Sequence, residues 1–314
     1  MQPPPTPETL MVLESFLATG LLLGTPILLA ALGELLVERT GVLNIGVEGL
    51  MLGGAFAAAV GAWATGSAAV GALSGALTGM AIALLFAFAT VRLGADQIIA
   101  GAALNLVALG ATGALYRAVL GATGTALVLP TLPALEVPFL SQLPVVGKAL
   151  FGQHALVYLG ICLTPLIAFL LAHTGVGLRL RALGDHPQAA ASLGLPVRRD
   201  RTLTLAAGGL LAGLGGAALT LAATNTFVEG ITAGRGYIAL AVVVFGRWSA
   251  FGVLGGALLF GLASALQFQF QAAALAIPYQ LFLMLPYVLT LGVLLLSTGR
   301  ASAPRALGAR YERE

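Results

Sequence analysis

The residues in this 314-residue chain best suited to chemistry are acids and amides set among glycines. Three carboxylates and an Asn lie in one stretch, Gly33-Glu34-Leu-Leu-Val-Glu38-Arg39-Thr40-Gly41-Val-Leu-Asn44-Ile-Gly46-Val-Glu48-Gly49, and Asn225 and Glu229 repeat the Asn44 and Glu48 spacing downstream. Such groups can line a hydrophilic path or gate and hydrogen-bond a polar solute. They can equally cap helix ends and satisfy broken backbone beside glycine. The sequence leaves both readings open. The patterns of catalysis are missing: His154, His173 and His186 are far apart and form no HExxH pair, so no metal site is implied. Lys148, in Leu-Pro-Val-Val-Gly-Lys, lacks the first glycine and the hydroxyl of a phosphate-binding loop, so the chain is not expected to bind ATP through one. No cofactor and no enzymatic activity are expected. The single cysteine, Cys162, excludes a disulfide within the chain and reads as a small buried apolar residue.

The elements that must position these groups are membrane helices. Hydrophobic residues make up 59% of the chain and charged residues only 9%, with a mean hydropathy of +0.99. No single soluble core can hide that much apolar surface, so the solvent must be lipid. The apolar runs approach twenty residues and do not alternate, which selects helices over a barrel. A carboxylate in hydrocarbon costs roughly 2.5–3.5 kcal/mol on insertion scales, so Glu48 and its neighbours must face the bundle or a wetted cavity.

Hydropathy places crossings near 12–33, 42–63, 67–90, 96–118, 154–173, 203–223, 237–246, 250–269 and 279–298, about nine in all. The loop 174–202 carries Arg179, Arg181, Arg198, Arg199 and Arg201, and the tail carries Arg300, Arg305, Arg310 and Arg313. The positive-inside rule makes both cytoplasmic, and Arg39, Arg92 and Arg247 then fall inside as well. Only Arg117, Lys148 and Arg235 fall outside. The expected protein is an all-α, polytopic transmembrane bundle of one domain in the inner (plasma) membrane, with its N-terminus outside and its C-terminus in the cytoplasm. The N-terminus has no basic residue before the first apolar run, so the first helix is read as retained. The basic pI reflects this orientation and not nucleic acid. The external stretch 119–152 contains Pro130, Pro133, Pro138 and Pro144, which are expected to break any regular element.

Shifting the chain by 181 positions aligns Asn44-Ile-Gly-Val-Glu48-Gly49 with Asn225-Thr-Phe-Val-Glu229-Gly230, and Gly71-Ala-Leu-Ser-Gly75-Ala-Leu with Gly252-Val-Leu-Gly-Gly256-Ala-Leu. Asn and Glu are rare here, so the shared Asn and Glu carry more weight than matching Ala, Gly or Leu. The offset spans five crossings, so halves of about 34–173 and 203–298 are expected to form an inverted repeat, an arrangement that places a substrate path between them. Gly71, Gly75 and Gly79, Gly209 and Gly213, and Gly252 and Gly256 are spaced for close helix packing. Asp96 reads as an N-cap, and Gln267, Gln269 and Gln271 as a solvated helix end.

The loop Gly177-Leu-Arg179-Leu-Arg181-Ala-Leu-Gly184-Asp185-His186-Pro187-Gln188-Ala-Ala-Ala-Ser192-Leu-Gly194-Leu-Pro196 is built for a short rigid knob. Asp185 can cap it, Pro187 suits its first turn, Gln188–Leu193 continue it, and Gly194 with Pro196 stops it. This loop resembles the coupling segment of ABC importer permeases of the ribose/branched-chain amino-acid/nucleoside group. The stretch from Glu38 to Gly49 resembles the nucleoside-type permeases of that group, and the resemblance runs over about residues 20–298. It implies that Gly184, Asp185, His186, Pro187, Gln188, Ser192 and Gly194 contact a cytoplasmic ATP-binding subunit, although His186 stands where relatives commonly carry Asn. It further implies a second permease subunit, identical or different, and an extracytoplasmic solute-binding protein. The expected function is translocation of a nucleoside or similar small polar solute into the cytoplasm, with Asn44, Glu48, Asn225 and Glu229 along the pathway. The alternative is a secondary carrier or channel that works without ATP. Ion coupling, however, calls for ionisable groups in mid-crossing, whereas these carboxylates lie toward boundaries.

Overall fold

The computed structural model describes residues 7–120, 128–136, 138, 140–142, 147–272, 281, 284, 288, 292 and 303–311. Among them, seven helices are long and apolar enough to cross a membrane. These are α1 (Pro7–Glu38), α2 (Val47–Thr65), α3 (Ala68–Ala87, extended by a π-helical turn Phe88–Arg92), α4 (Gln97–Leu120), α6 (Ala155–His173), α9 (Val197–Ala218, extended by a π-helical turn Leu219–Ala223) and α11 (Ala250–Ala272). Shorter helices are α5 (Gly147–Phe151), α7 (Gly175–Asp185), α8 (Pro187–Ser192) and α10 (Arg235–Phe245). α10 has 11 residues and spans only about 16 Å at 1.5 Å per residue, roughly half of a 30 Å hydrocarbon layer. The expected crossing at 279–298 falls almost wholly outside the described residues.

The bundle has a closely packed centre and an apolar, exposed periphery. In α1 and α9, 78% of the most apolar window is buried by other helices, against 28% in α4 and 33% in α6 and α11, so the first two form the core. α9 packs against α1, α2 and α3, and α1 also packs along α11. Glycine makes these approaches possible: a Cβ on Gly213 would overlap the Gly75 carbonyl, and one on Gly261 would overlap that of Gly20. Contact order gives direction. Pro26 meets Gly215 and Gly33 meets Gly208, so α1 and α9 run antiparallel; Gly75 meets Gly213 and Gly79 meets Gly209, so α3 and α9 do too.

Four expectations need correcting. Residues 119–152 are not devoid of regular structure: β1 (Ala134–Glu136) pairs antiparallel with β2 (Gly152–His154), Ala134 opposite His154. The prolines flank β1 instead of interrupting it, so its ladder donors survive. The second crossing begins at Val47, not 42, because residues 39–46 fold as a turn followed by irregular chain. Cys162 is exposed on α6, since an apolar residue in a peripheral membrane helix faces lipid as readily as the core. Asp185 does not cap the knob: α7 continues through it, and His186 holds the cap position of α8 without a side-chain bond. The expected stop holds, with Gly194 in the left-handed region at φ +84° after α8 ends.

Candidate functional site

The start of α2 and the chain that leads from α9 into α10 meet inside the bundle. Asn105 of α4 fixes the depth. Its Oδ1 accepts from Gly49 N at 2.8 Å and its Nδ2 donates to Ile45 O at 2.9 Å, eight residues or roughly 12 Å along α4 from Gln97. α2 therefore starts well inside the bundle. Gly101 lets the irregular chain come this close, because a Cβ there would strike Gly46 N. Residues 224–234 approach from the opposite end, where Leu129 N and Leu132 N donate to Asn225 O and Leu221 O. Phe227 is fully buried among Phe56 and Tyr116.

Glu48 joins the two. It lies in the first turn of α2, and its Oε1 accepts from Thr232 Oγ1 (2.6 Å) and Gly234 N (2.8 Å) while Oε2 accepts from Gly236 N (2.7 Å). Gly234 is the N-cap of α10 and Gly236 lies in its first turn, so the carboxylate caps a helix from the other half of the chain. Two helix N-termini, each with partial positive charge, thus converge on one carboxylate. Gly236 permits this approach, since a Cβ there would collide with Glu48. Beside the capped end, Asn105 Nδ2 donates to Tyr237 Oη at 2.9 Å, and Tyr237 is half-exposed.

The remaining pathway candidates are dispersed. Asn44, 2% exposed, turns inward: its N and Nδ2 both donate to Glu34 at 3.2 Å, and its Oδ1 accepts from Gly46 N. One turn along, the buried Glu38 accepts from Trp248 Nε1 at 2.5 Å, and Arg39 Nη2 donates to Trp248 O. Burial holds the Arg39 guanidinium below its usual range, with Arg181 adding to the effect. Asn225 is exposed in the left-handed region at φ +56°, and Glu229 is exposed, paired with Arg117 of α4 at 2.9 Å. That hydrogen bond holds the Glu229 carboxyl below the ordinary range. Asn44 and Glu48 therefore lie inside, Asn225 and Glu229 at the far end. The cause is a register difference: Val47, where α2 begins, projects to Val228 at the 181 offset, yet α10 begins only at Arg235.

At the other end, α7 and α8 form an exposed knob whose root is tied to the core. Leu183, Ala190 and Val197 make its apolar centre. Ala306 N donates to Gly184 O, Gly308 N to Gly41 O, and Arg305 N to Asp185 Oδ1 at 3.2 Å. His186 Nε2 lies 3.5 Å from Arg305 Nη1, whereas Gln188, Ser192 and Gly194 are exposed. Arg201, itself buried, donates to Thr40 O at 3.1 Å under the Tyr311 ring. The knob, the chain before α2 and the segment 304–311 are one connected unit. Sequence reasoning named Gly184 and Asp185 but missed Thr232, Tyr237, Trp248 and residues 304–311. Tyr237 and Trp248, aromatic residues with polar tips at the edges of apolar runs, were the available signal. Among the described residues no group of His, Cys, Asp and Glu is placed to hold a metal ion.

The family model for the permease component of branched-chain amino acid transport systems matches residues 16–294. The guanosine ABC transporter permease protein NupQ of Bacillus subtilis is 36% identical over 313 residues, covering 97% of this chain and 98% of the relative. The nucleoside ABC transporter permease protein NupC of Lactococcus lactis is 37% identical over 309 residues, 95% and 97% of the two chains. A putative glucose ABC transporter permease protein of Haloferax volcanii, TsgC13, is 41% identical over 253 residues, 81% and 77%. No solved structure matches. A multi-helix apolar bundle, matched along nearly its whole length, makes this chain a member of the permease family of branched-chain amino acid transport systems, with ABC transporter permeases as its relatives.

Proposed function

We propose that this chain is the membrane-spanning half of an ATP-driven importer that passes a nucleoside, or a similar hydroxyl-rich neutral solute, into the cytoplasm. The observation that carries the solute class is Glu48. Helix N-termini inside a bundle are natural sites for anionic groups of a solute, and here that place is already taken by a protein carboxylate. A free amino acid would bring its own carboxylate against Glu48, whereas a sugar or nucleoside brings hydroxyls and a ring, matched by Tyr237 and Asn105 beside it. The full-length relatives named for guanosine and nucleosides support the same choice.

The mechanical reading is an inverted repeat of about nine crossings with halves near 34–173 and 203–298. Reciprocal packing supports it: α1 lies antiparallel along α11 as α9 does along α3, each seam crowded with glycine. Glu48 then holds the two halves together in the middle, and the Arg117–Glu229 pair closes one end. The chain places its N-terminus outside and C-terminus in the cytoplasm of the inner membrane, beside a second permease subunit and an extracytoplasmic solute-binding protein. Gly184–Gly194 seats in a separate ATP-binding subunit, which hydrolyses ATP. Movement of that knob reaches Thr40 and Gly41, and so the chain before α2, through residues 304–311 and Arg201.

The test is uptake of labelled nucleoside by proteoliposomes holding the full complex, with ATP or a non-hydrolysable analogue. Hydrolysis-dependent uptake that vanishes when residues 184–194 are disrupted in an intact complex is the expected result. Uptake by this chain alone, without ATP, would overturn the proposal in favour of a carrier or channel.

A further inference from the structure

Three arginines, Arg92, Arg198 and Arg199, border one groove of about 370 Å3 together with Val91, Thr202 and Leu203. All three are exposed, and none of them engages a carboxylate or any other side-chain partner among the described residues. The nearby Asp200 is not available to them, because it is 2% exposed and bonded to Arg179 at 2.7 Å. Three cations around one groove, with no counter-charge among the described residues, call for an anion from elsewhere.

The surroundings say what kind. The turn Phe88–Arg92 supplies Val91 and Arg92 to this groove, and on its other side Ala89 lines a second cleft of about 420 Å3 between α3 and α4. That cleft is uncharged and walled mainly by apolar side chains such as Phe56, Ile82, Ala100, Ala108 and Leu115; of its two hydroxyls, Thr78 and Thr112, the second donates back to the Ala108 carbonyl. α4 touches α3 only lightly along it, and Leu85 and Val107, which line it, stand more than half exposed. A cationic groove and an apolar cleft sharing one helical turn, at the end of a membrane-crossing helix, match an anionic head joined to an acyl chain.

We propose that this chain carries a structural site for an anionic phospholipid, with the phosphate held by Arg92, Arg198 and Arg199 and an acyl chain in the α3–α4 cleft. A free phosphate would use the arginines and ignore the cleft. A docking protein would use the arginines and bring no chain into a seam between membrane helices. Leu203, on the same face as Arg199 and more than half exposed, continues the apolar surface past the groove. The site is separate from the Glu48 seam and does not depend on which solute is carried.

The experiment is native mass spectrometry of the purified full-length chain with phosphatidylglycerol, phosphatidylcholine or inorganic phosphate, repeated for R92Q/R198Q/R199Q, for the same triple change to Lys, and for Ala103→Trp, which fills the cleft. Wild type is expected to retain phosphatidylglycerol over phosphatidylcholine. The Gln variant is expected to lose that preference by tenfold or more, since each basic residue near an anionic surface contributes about fivefold. The Lys variant should keep the preference, showing that loss is not misfolding, and Ala103→Trp should weaken retention of the lipid without affecting phosphate. Equal retention of both lipids by wild type would overturn the proposal. So would binding of inorganic phosphate that added phosphatidylglycerol does not displace, or a Gln variant that keeps its preference for phosphatidylglycerol.

Discussion

At the scale of single residues, a buried acceptor is worth what its donors lose without it. Glu48 takes three hydrogen bonds, two from backbone N–H groups that open α10. Glu48→Ala leaves those donors unmet and is expected to destabilise the chain by roughly 3 kcal/mol, since a bond to a charged group contributes about 1.5–3 kcal/mol. Thermal unfolding in detergent measures this, and uptake should fall at least about tenfold. Glu48→Gln, which keeps one acceptor oxygen, should fall between. A variant as stable and active as wild type would remove Glu48 from the seam. Glu229 behaves differently because it is exposed. Arg117 lowers its pKa, so the pair is fully formed above the ordinary carboxylate pKa of about 4.3 and is lost as pH falls through the lowered value. The Glu229 carboxyl signal, followed by nuclear magnetic resonance, should therefore titrate below the ordinary carboxylate range in wild type. In Arg117→Gln it should move back toward that range, and an unchanged titration would remove Arg117 as the cause.

At the scale of elements, the helices are held by backbone proximity more than by large side chains. A Cβ on Gly216 would overlap the Met51 carbonyl, where α9 crosses α2. Gly216→Leu must push these helices apart, an overpacking that costs about 1–3 kcal/mol, and the midpoint of thermal unfolding should fall accordingly. Gly184 sits where α7 meets both Arg39 and Pro304, with the Arg39 carbonyl in the way of any Cβ. Gly184→Val should lower the midpoint of thermal unfolding and, in the assembled complex, abolish the stimulation of ATP hydrolysis by solute. Unchanged stimulation would show that movement does not pass through this joint.

At the scale of the whole molecule, antiparallel seams and opposed entry loops make a directional claim that labelling can check. With Cys162 replaced by Ser, a cysteine at Ser192 should react with a membrane-impermeant maleimide only in inside-out vesicles. One at Asn225 should react only in right-side-out vesicles. Both reacting from the same face would refute the inverted arrangement and the orientation together, because the two positions lie on opposite ends of the bundle.

Composition and charge alone pointed to a helical membrane protein with a basic loop and tail, and made the cytoplasm the expected side of both. Hydrophobic length and arginine placement are one-dimensional quantities, and lipid leaves few other solutions. The repeat of Asn44 and Glu48 as Asn225 and Glu229 was visible in the same way, as was the knob that Gly194 ends. What the line of residues could not decide was which of these groups meet. The displaced start of α10 sends Glu229 to Arg117 and leaves Thr232, Gly234 and Gly236 for Glu48. Asn44 folds back onto Glu34 near the end of α1, and residues 304–311 return to Gly184 and Gly41 from far along the chain. Pairings like these depend on helix start points and on where glycine lets two backbones touch, and only the folded bundle sets those distances.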